Sequence, residues 1–361
     1  MNVLKESLDE LQKKAKERTV KTQTIEYDLE TMVKKIDKKV IKLSPEYQRN
    51  HRWDPDTSSR LIESLILNIP VPFIYISQDI DVDEEVDEDI SRYSVIDGQQ
   101  RLTAIYDFFK NKFPLSQLEV LEKLNGSHYS DLPPFLIRRL EERSIKCLRI
   151  DSTLDQQVKY DIFERLNSGA VKLEAQELRN ATCRGPFKDL IKELAKYPAF
   201  KQAALIKEGS SRVKKMEDEE LVLRYFALTF KKGYTDYKGG FKKFLTQKMS
   251  DLNQLPKEQL DALSINFKKV MNKIINEHPE NPFAKYRNED GQLVDMSSFN
   301  VAVYDAVVSL FYSAEASQYS VSPEEVQSLF YDEDFFKCVE GSTNDVKKVL
   351  TRIEKALALV P

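Results

Sequence analysis

The sequence predicts an α+β protein, with an N-terminal α/β half followed by an all-α helical half. Three observations carry this prediction. Up to Ile150, short apolar runs of strand length alternate with amphipathic segments of helix length. Beyond Gly185-Pro186 helical periodicity continues with no convincing strand. The length of 361 residues exceeds what one hydrophobic core usually organises, so two domains are the default. The expected division is an N-terminal helical arm over 1–24, an α/β domain over 25–185 and a helical domain over 186–361.

Taken in order, residues 1–21 read as a charged helix with Leu4, Leu8 and Leu11 on one stripe, a packing arm. Thr24–Leu29 and Val40–Leu43 read as short strands around a small helix at Thr31–Lys38. Pro45-Glu46-Tyr47-Gln48-Arg49 follows as an extended loop. Ser58–Asn68 is an amphipathic helix burying Leu61, Ile62, Leu65 and Ile66; Pro70-Val71-Pro72 ends it, and Phe73–Ser77 is a strand. Residues 79–89 are dominated by aspartate and glutamate. They lack the glycine an EF-hand needs at its turn and read as a solvated loop joining two strands. Tyr93–Ile96 is a strand, and Leu102–Phe109 a helix. After a polar region with Tyr129 and Pro133-Pro134 come a helix at Leu136–Glu142 and a strand at Ile145–Ile150, whose weak alternation predicts burial on both faces. Leu154–Leu166 is helical, Asn167-Ser168-Gly169 breaks it, and Glu174–Thr182 makes another helix. Further helices are expected at 187–196, 217–231, 241–249, 257–277, 298–314, 323–330 and 343–358.

Composition excludes several classes. A formal charge of −4 gives no global preference for nucleic acid or membrane, although a local basic face remains compatible with DNA. Cys147, Cys183 and Cys338 lie far apart without a CxxC pair, against both a disulfide framework and a zinc site. The N-terminus is charged from Lys5 onward and has no signal-peptide pattern, and the longest apolar runs fall short of a membrane span. A cytoplasmic protein without a membrane partner is expected; the oligomeric state is left open.

Three segments are more polar than packing requires. The first joins Tyr47-Gln48-Arg49 to Arg52-Trp53-Asp54, with the sole tryptophan, which fits a core or lid aromatic as well. The second is Ile96-Asp97-Gly98-Gln99-Gln100-Arg101-Leu102. A strand, a glycine and a helix in succession bring backbone N–H groups and the positive end of a helix dipole to one point, which suits an anion. Arg101 adds a planar guanidinium suited to phosphate, and Asp97 a carboxylate for a metal or a ribose hydroxyl. An ordinary turn, with Gly98 for geometry and Asp97 as N-cap, fits the same spacing. The third segment runs from Phe163-Glu164-Arg165-Leu166-Asn167-Ser168-Gly169 to Glu177-Leu178-Arg179-Asn180-Ala181. There Asn167 can be an ordinary helix end, and Glu177 and Asn180 surface positions.

Together with Leu43–Arg49 and the run from Glu63-Ser64-Leu65 to Ile69-Pro70-Val71-Pro72, these segments occur in the order and rough spacing of a known family. Over about residues 25–185 the chain resembles the N-terminal domain of GmrSD-type type IV restriction proteins, of the ParB/sulfiredoxin-like superfamily. The resemblance implies a nucleotide-binding domain whose Gly-x-x-Arg turn faces a triphosphate. Carried over, Gly98 and Arg101 fall on the phosphate turn, with Asp97, Gln99 and Gln100 completing the motif. Gln48 and Arg49 fall on the first loop of the family pattern, beside Tyr47. Asn167 falls on an asparagine that helps hold phosphate or Mg²⁺, with Glu164 one helical turn earlier. Glu177 and Asn180 occupy the last motif, where they would brace the site.

The implied chemistry is self-consistent. Arg49, Arg101 and backbone N–H groups would stabilise a nucleoside triphosphate electrostatically. Mg²⁺ needs only one or two carboxylates besides phosphate oxygens and water, which Asp97 or Glu164 could supply. Gln99 or Gln100 could orient an attacking water. The expected activity is Mg²⁺-dependent nucleoside triphosphate hydrolysis in a prokaryotic DNA-restriction or phage-defence protein, with nucleotide state gating contact with DNA or a separate nuclease subunit.

Family members that cut DNA carry an HNH-type nuclease domain after this one. Here the histidines are His51, His128 and His278, and the last has no second histidine in its half. His278 is expected at the surface, the nuclease domain is expected to be absent, and autonomous DNA cleavage is not expected. The helical half has a basic stretch from Lys201 to Lys243, including Arg212, Lys215 and Lys242, interleaved with Phe226, Tyr234, Tyr237, Phe241 and Phe244. It fits a solvated helical surface or, alternatively, contact with DNA phosphates. The alternative to a nucleotide enzyme is a non-catalytic DNA-binding or adaptor protein whose turn grips backbone phosphate. A sulfiredoxin-like phosphotransfer enzyme fits less well, because the cysteines fall outside the turn.

Overall fold

The computed structural model describes residues 21–43, 53–78, 92–150, 156–166, 174–183 and 185–361. The N-terminal arm, Pro45–Arg49, the acidic run after Gln78 and Asn167-Ser168-Gly169 lie outside these residues. The chain divides into two compact units, Met1–Lys172 and Leu173–Pro361.

In the first unit the elements are β1 (Thr22–Asp28), α1 (Leu29–Asp37), β2 (Ile41–Lys42), α2 (Pro55–Ile66), β3 (Ile74–Gln78), β4 (Tyr93–Asp97), α3 (Gln99–Phe109), α4 (Pro134–Glu141), β5 (Ser144–Ile150) and α5 (Gln156–Leu166). Local chemistry sets the helix starts. Asp28 accepts the Thr31 N–H at 2.6 Å to cap α1. Asp54 accepts that of Thr57 at 2.7 Å to cap α2, and Pro55 follows at the first helical position, where its missing N–H costs nothing.

The strands form one mixed sheet in the order β1-β5-β3-β4-β2. The β1–β5 and β3–β4 pairs are antiparallel; β5–β3 and β4–β2 are parallel. A core of Ile62, Leu65, Ile74, Ile76, Leu102 and Phe108 packs the helices on this sheet. Strand β5 departs from the expectation of burial on both faces. Ile145 and Cys147 are buried while Ser144 and Lys146 are exposed, so in this part of the strand one face packs on the core and the other is open. Lys146 instead faces Glu26 of β1 at 3.5 Å.

A buried carboxylate ties α2 to a distant loop. Glu63 is 6% exposed, and its oxygens accept the N–H groups of Glu119, Val120 and Leu121 at 3.3, 2.8 and 2.8 Å. Three donors from one loop give the buried charge partners that water would otherwise supply.

The second unit comprises α6 (Ala175–Thr182), α7 (Pro186–Leu194), α8 (Pro198–Ala203), α9 (Ser211–Lys214), α10 (Glu217–Thr229), α11 (Phe241–Leu252), α12 (Lys257–Glu277), β6 (Lys285–Glu289), β7 (Gln292–Ser297), α13 (Val301–Ala316), α14 (Pro323–Ser328), α15 (Glu333–Cys338) and α16 (Val346–Leu357). Helix α13 is apolar nearly all round and forms the axis, against α10, α12 and α16. One charge sits on that axis. Asp305, with no exposed surface, accepts Arg224 Nε and Nη2 at 2.9 and 2.6 Å and Arg352 Nη2 at 2.5 Å. Two cations on one carboxylate fix α10 and α16 to α13 in one register.

Two expectations for this half are corrected. It carries a β-hairpin, because Asp290-Gly291 has φ of 50° and 86°, both positive as a two-residue turn matching strand twist requires. Its strands are polar and largely exposed, so apolar alternation did not mark them. His278 is buried rather than surface-lying, 5% exposed, with its ring edge-on to Phe311 at 5.5 Å. It follows the last turn of α12, where burial pushes its pKa below the ordinary imidazole value.

The Glu63 clasp has a pH signature. Burial draws its carboxyl upward, but the N–H groups of Leu121, Val120 and Glu119 outweigh that and hold its pKa below the ordinary glutamate value. The stabilisation is therefore complete above the glutamate range and lost as pH falls through the folded value. Trp53, the sole tryptophan, packs on the core of the first unit, so its fluorescence follows that unit selectively. In urea unfolding read by Trp53, Glu63→Gln should cost about 1.5–3 kcal/mol at neutral pH. The difference from wild type should close as the pH is lowered below the ordinary glutamate range.

Candidate functional site

Strand β4 ends at Asp97 and α3 begins at Gln99, with Gly98 between them as the N-cap. The glycine has φ 94° and ψ 12°, a left-handed conformation that L side chains rarely adopt. A Cβ at this position would overlap Ile74 Cδ1 and crowd the Arg101 guanidinium. Backbone conformation and close packing thus both demand glycine. Because Gly98 is the cap, Asp97 is not, and no side chain among the described residues caps this helix. The first turn of α3 presents its N–H groups at an uncapped positive end.

Arg101 stands in that first turn. Its Nη2 donates to Asp97 Oδ2 at 2.7 Å, and its Nη1 donates to the carbonyls of Pro72 and Phe73 at 2.5 and 3.2 Å. Pro72 and Phe73, at the end of the segment connecting α2 to β3, thus supply the acceptors that orient the guanidinium. With two anchors on uncharged carbonyls and one on a carboxylate, the guanidinium is pre-oriented and keeps its charge at the cavity wall.

That wall belongs to a cavity of ≈ 560 Å³ lined by Trp53, Arg60, Pro72, Asp97, Arg101 and Leu166 among others. Small-molecule sites span about 300–1,000 Å³, so the volume suits a ligand rather than a few waters. Among the described lining residues the charged ones are Arg60, Asp97 and Arg101. Arg60 at the rim also pairs with Glu119 at 2.9 Å, both exposed.

The other candidates distribute as follows. Gln99 is buried as the first residue of α3, and Gln100 Oε1 accepts the backbone N–H of Trp53 at 3.1 Å, fastening the start of α2 to the turn. Glu164 is exposed on α5, about 200° around the helix from the cavity-lining Leu166. Tyr47, Gln48, Arg49 and Asn167 lie outside the described residues. Glu177 and Asn180 belong to the second unit. Both are buried: Glu177 accepts the Glu174 N–H at 2.7 Å, and Asn180 donates to Glu219 Oε2 and Met216 Sδ. Burial raises the Glu177 carboxyl above its ordinary value.

The roles of Glu63, Arg60 and the Pro72 and Phe73 carbonyls were missed from sequence. A carboxylate on the apolar face of the α2 helix was the available signal for Glu63. No local pattern marks a carbonyl as an arginine acceptor.

Metal and thiol chemistry are constrained by the same geometry. Among the described residues no group of three or more His, Cys, Asp or Glu side chains converges as a metal cage. Asp97 at the cavity wall offers the single hard oxygen donor that a phosphate-bound Mg²⁺ requires. All three cysteines are buried, and burial pushes the Cys147 thiol up to about 12. No helix among the described residues is long and apolar enough to cross a membrane.

The glycine requirement is directly testable. Gly98→Ala should destabilise the first unit by about 1–3 kcal/mol in Trp53-monitored urea unfolding, from the left-handed backbone and the overlap with Ile74. A change confined to a few tenths would show that the turn relaxes freely.

The geometry can be set beside known proteins. No curated protein and no solved structure matches the chain. Residues 29–183 match the family model described as GmrSD restriction endonuclease, N-terminal domain, a match that includes the whole β4–α3 turn and extends past the first compact unit through α6. Over those residues the chain is similar to the N-terminal domain of GmrSD restriction endonucleases, a likeness that suggests a restriction or phage-defence protein.

Proposed function

We propose that the β4–α3 turn binds the polyphosphate of a nucleoside triphosphate with Mg²⁺ and promotes its hydrolysis, and that nucleotide state gates contact with DNA or a nuclease subunit. The observation that carries this reading is the conjunction at one cavity of an uncapped helix N-terminus, a positive-φ glycine and an arginine pre-oriented by two carbonyls. The family match to a restriction endonuclease domain supports the biological setting.

In this reading the N–H groups of the first α3 turn and the Arg101 guanidinium bind phosphate oxygens. Asp97 turns its carboxylate toward the metal, leaving Arg101 on its carbonyl anchors with its charge uncompensated for the phosphate. Bound Mg²⁺ would neutralise and orient the phosphates. Gln100, already hydrogen-bonded to Trp53, ties the turn to the cavity wall, and Gln99 or Gln100 orients water. Gln48, Arg49 and Asn167 complete the phosphate contacts, with Tyr47 supporting them, while Glu164, which α5 turns away from the cavity, and Glu177 and Asn180 of the second unit take no part in binding.

Phosphate release from ATP, GTP, CTP and UTP with Mg²⁺ tests the reading, with Asp97→Asn and Arg101→Ala compared after Trp53 fluorescence has verified their folding. Turnover with at least one nucleotide is expected, abolished by chelation and reduced roughly 10²–10³-fold in each variant, the usual effect of removing a group that stabilises developing charge. Absence of both turnover and nucleotide binding in the wild type overturns it and leaves the phosphate-gripping adaptor.

A further inference from the structure

Trp53 stands at the cavity of the β4–α3 turn without a part in the phosphate chemistry described above. It lines the same cavity as Asp97 and Arg101, and it is only partly buried against the core of the first unit. Two neighbours set its place. Its backbone N–H donates to Gln100 Oε1 at 3.1 Å, which ties the residue to the turn itself. The next residue, Asp54, caps α2 and fixes the direction in which the chain leaves Trp53. By contrast, the aromatics interleaved with the basic stretch of the helical half, Phe226, Tyr237, Phe241 and Phe244, are buried core side chains.

The cavity is divided in its chemistry. Asp97 and Arg101 carry charge at the α3 turn, whereas Leu61, Pro70, Val71, Pro72 and Leu166 make much of the remaining described lining apolar. The two lining hydroxyls are committed. Ser64 Oγ donates to the Arg60 carbonyl at 2.8 Å, and the Thr57 hydroxyl bonds Asp54. Arg60 is paired with Glu119. A volume of ≈ 560 Å³, an apolar and aromatic wall and a few charged groups at one end are the features of pockets that enclose a whole small molecule.

From this arrangement we infer that Trp53 is the base-binding residue of the cavity: a nucleobase lies against its indole while the phosphates occupy the first turn of α3. The inference rests on the nucleotide reading of that turn. Bases stack on aromatic side chains through their faces, so the contact needs no hydrogen-bonding group from the lining. One such stack is worth about 5–150-fold in affinity. The bond between Trp53 and Gln100 holds the base contact and the phosphate contact in a fixed relation, so that both ends of one ligand are gripped together.

Calorimetric titration of the full chain in Mg²⁺ with the non-hydrolysed β,γ-imido analogues of ATP, GTP, CTP and UTP, each compared with inorganic tripolyphosphate, separates the base from the phosphates. Wild type should bind at least one analogue about 5–150-fold more tightly than tripolyphosphate. Trp53→Leu keeps an apolar side chain and removes the aromatic face. It should lose most of that advantage and leave tripolyphosphate binding unchanged, and Trp53→Phe should keep part of the advantage; circular dichroism checks the folding of both. Emission of Trp53, the sole tryptophan, gives a readout that needs no variant: the nucleotide analogue should quench it and tripolyphosphate should not. Equal wild-type affinity for analogues and tripolyphosphate, an advantage that survives in Trp53→Leu, or emission unchanged at saturating analogue overturns the inference and leaves the phosphate turn standing. Parallel weakening of both ligands by Trp53→Leu also overturns it, because the residue then acts only through the shape of the turn. Binding of neither ligand overturns the nucleotide reading itself, and this inference with it.

Discussion

The placement of the Arg101 guanidinium is the constraint on which the N-terminal unit's site depends. Its two carbonyl acceptors come from the segment before β3, and its carboxylate partner from the end of β4. The side chain thus ties the first turn of α3 to the start of β3 and the end of β4, which already pair in the sheet. It can do so only because Gly98 has no side chain. A Cβ there would strike Ile74 and crowd the same guanidinium. Backbone conformation, packing and electrostatics meet at one residue, and the cavity shape follows from their agreement.

The helical unit solves a different problem with related chemistry. Its axis, α13, would slide easily if it were apolar throughout. Asp305 removes that freedom by fixing two arginines from different helices. Buried ion pairs are poor sources of net stability, but breaking one exposes an uncompensated charge, so alternative registers are strongly disfavoured.

Much of the fold could be read from periodicity because most elements bury one clear face. The Leu61, Ile62, Leu65, Ile66 stripe located α2, and the alternation of strands and helices separated the mixed sheet from the helical region. Helix α3 begins three residues before its apolar pattern does, since Gln99, Gln100 and Arg101 carry no hydrophobic signal. The β6–β7 hairpin was hidden for the opposite reason: Asp290-Gly291 is a strong turn signal, but the flanking strands have little apolar alternation. At the site, the motif brings Asp97, Gly98 and Arg101 together because their proximity is local. The acceptors of Arg101 lie 28 and 29 residues away, and the link between Gln100 and Trp53 spans 47, distances over which pairing is decided by the tertiary fold. His278 followed the habits of a polar turn residue and was nevertheless buried by packing against Phe311.

The central claim is that a nucleotide's phosphates sit on the first turn of α3. Amide hydrogen exchange measured with and without an equimolar mixture of ATP, GTP, CTP and UTP in Mg²⁺ addresses that position residue by residue. The account predicts slowed exchange at Gln99, Gln100 and Arg101, whose N–H groups face the ligand, and loss of that protection in Asp97→Asn. Nucleotide binding that leaves these three amides unchanged while protecting another part of the chain would contradict it.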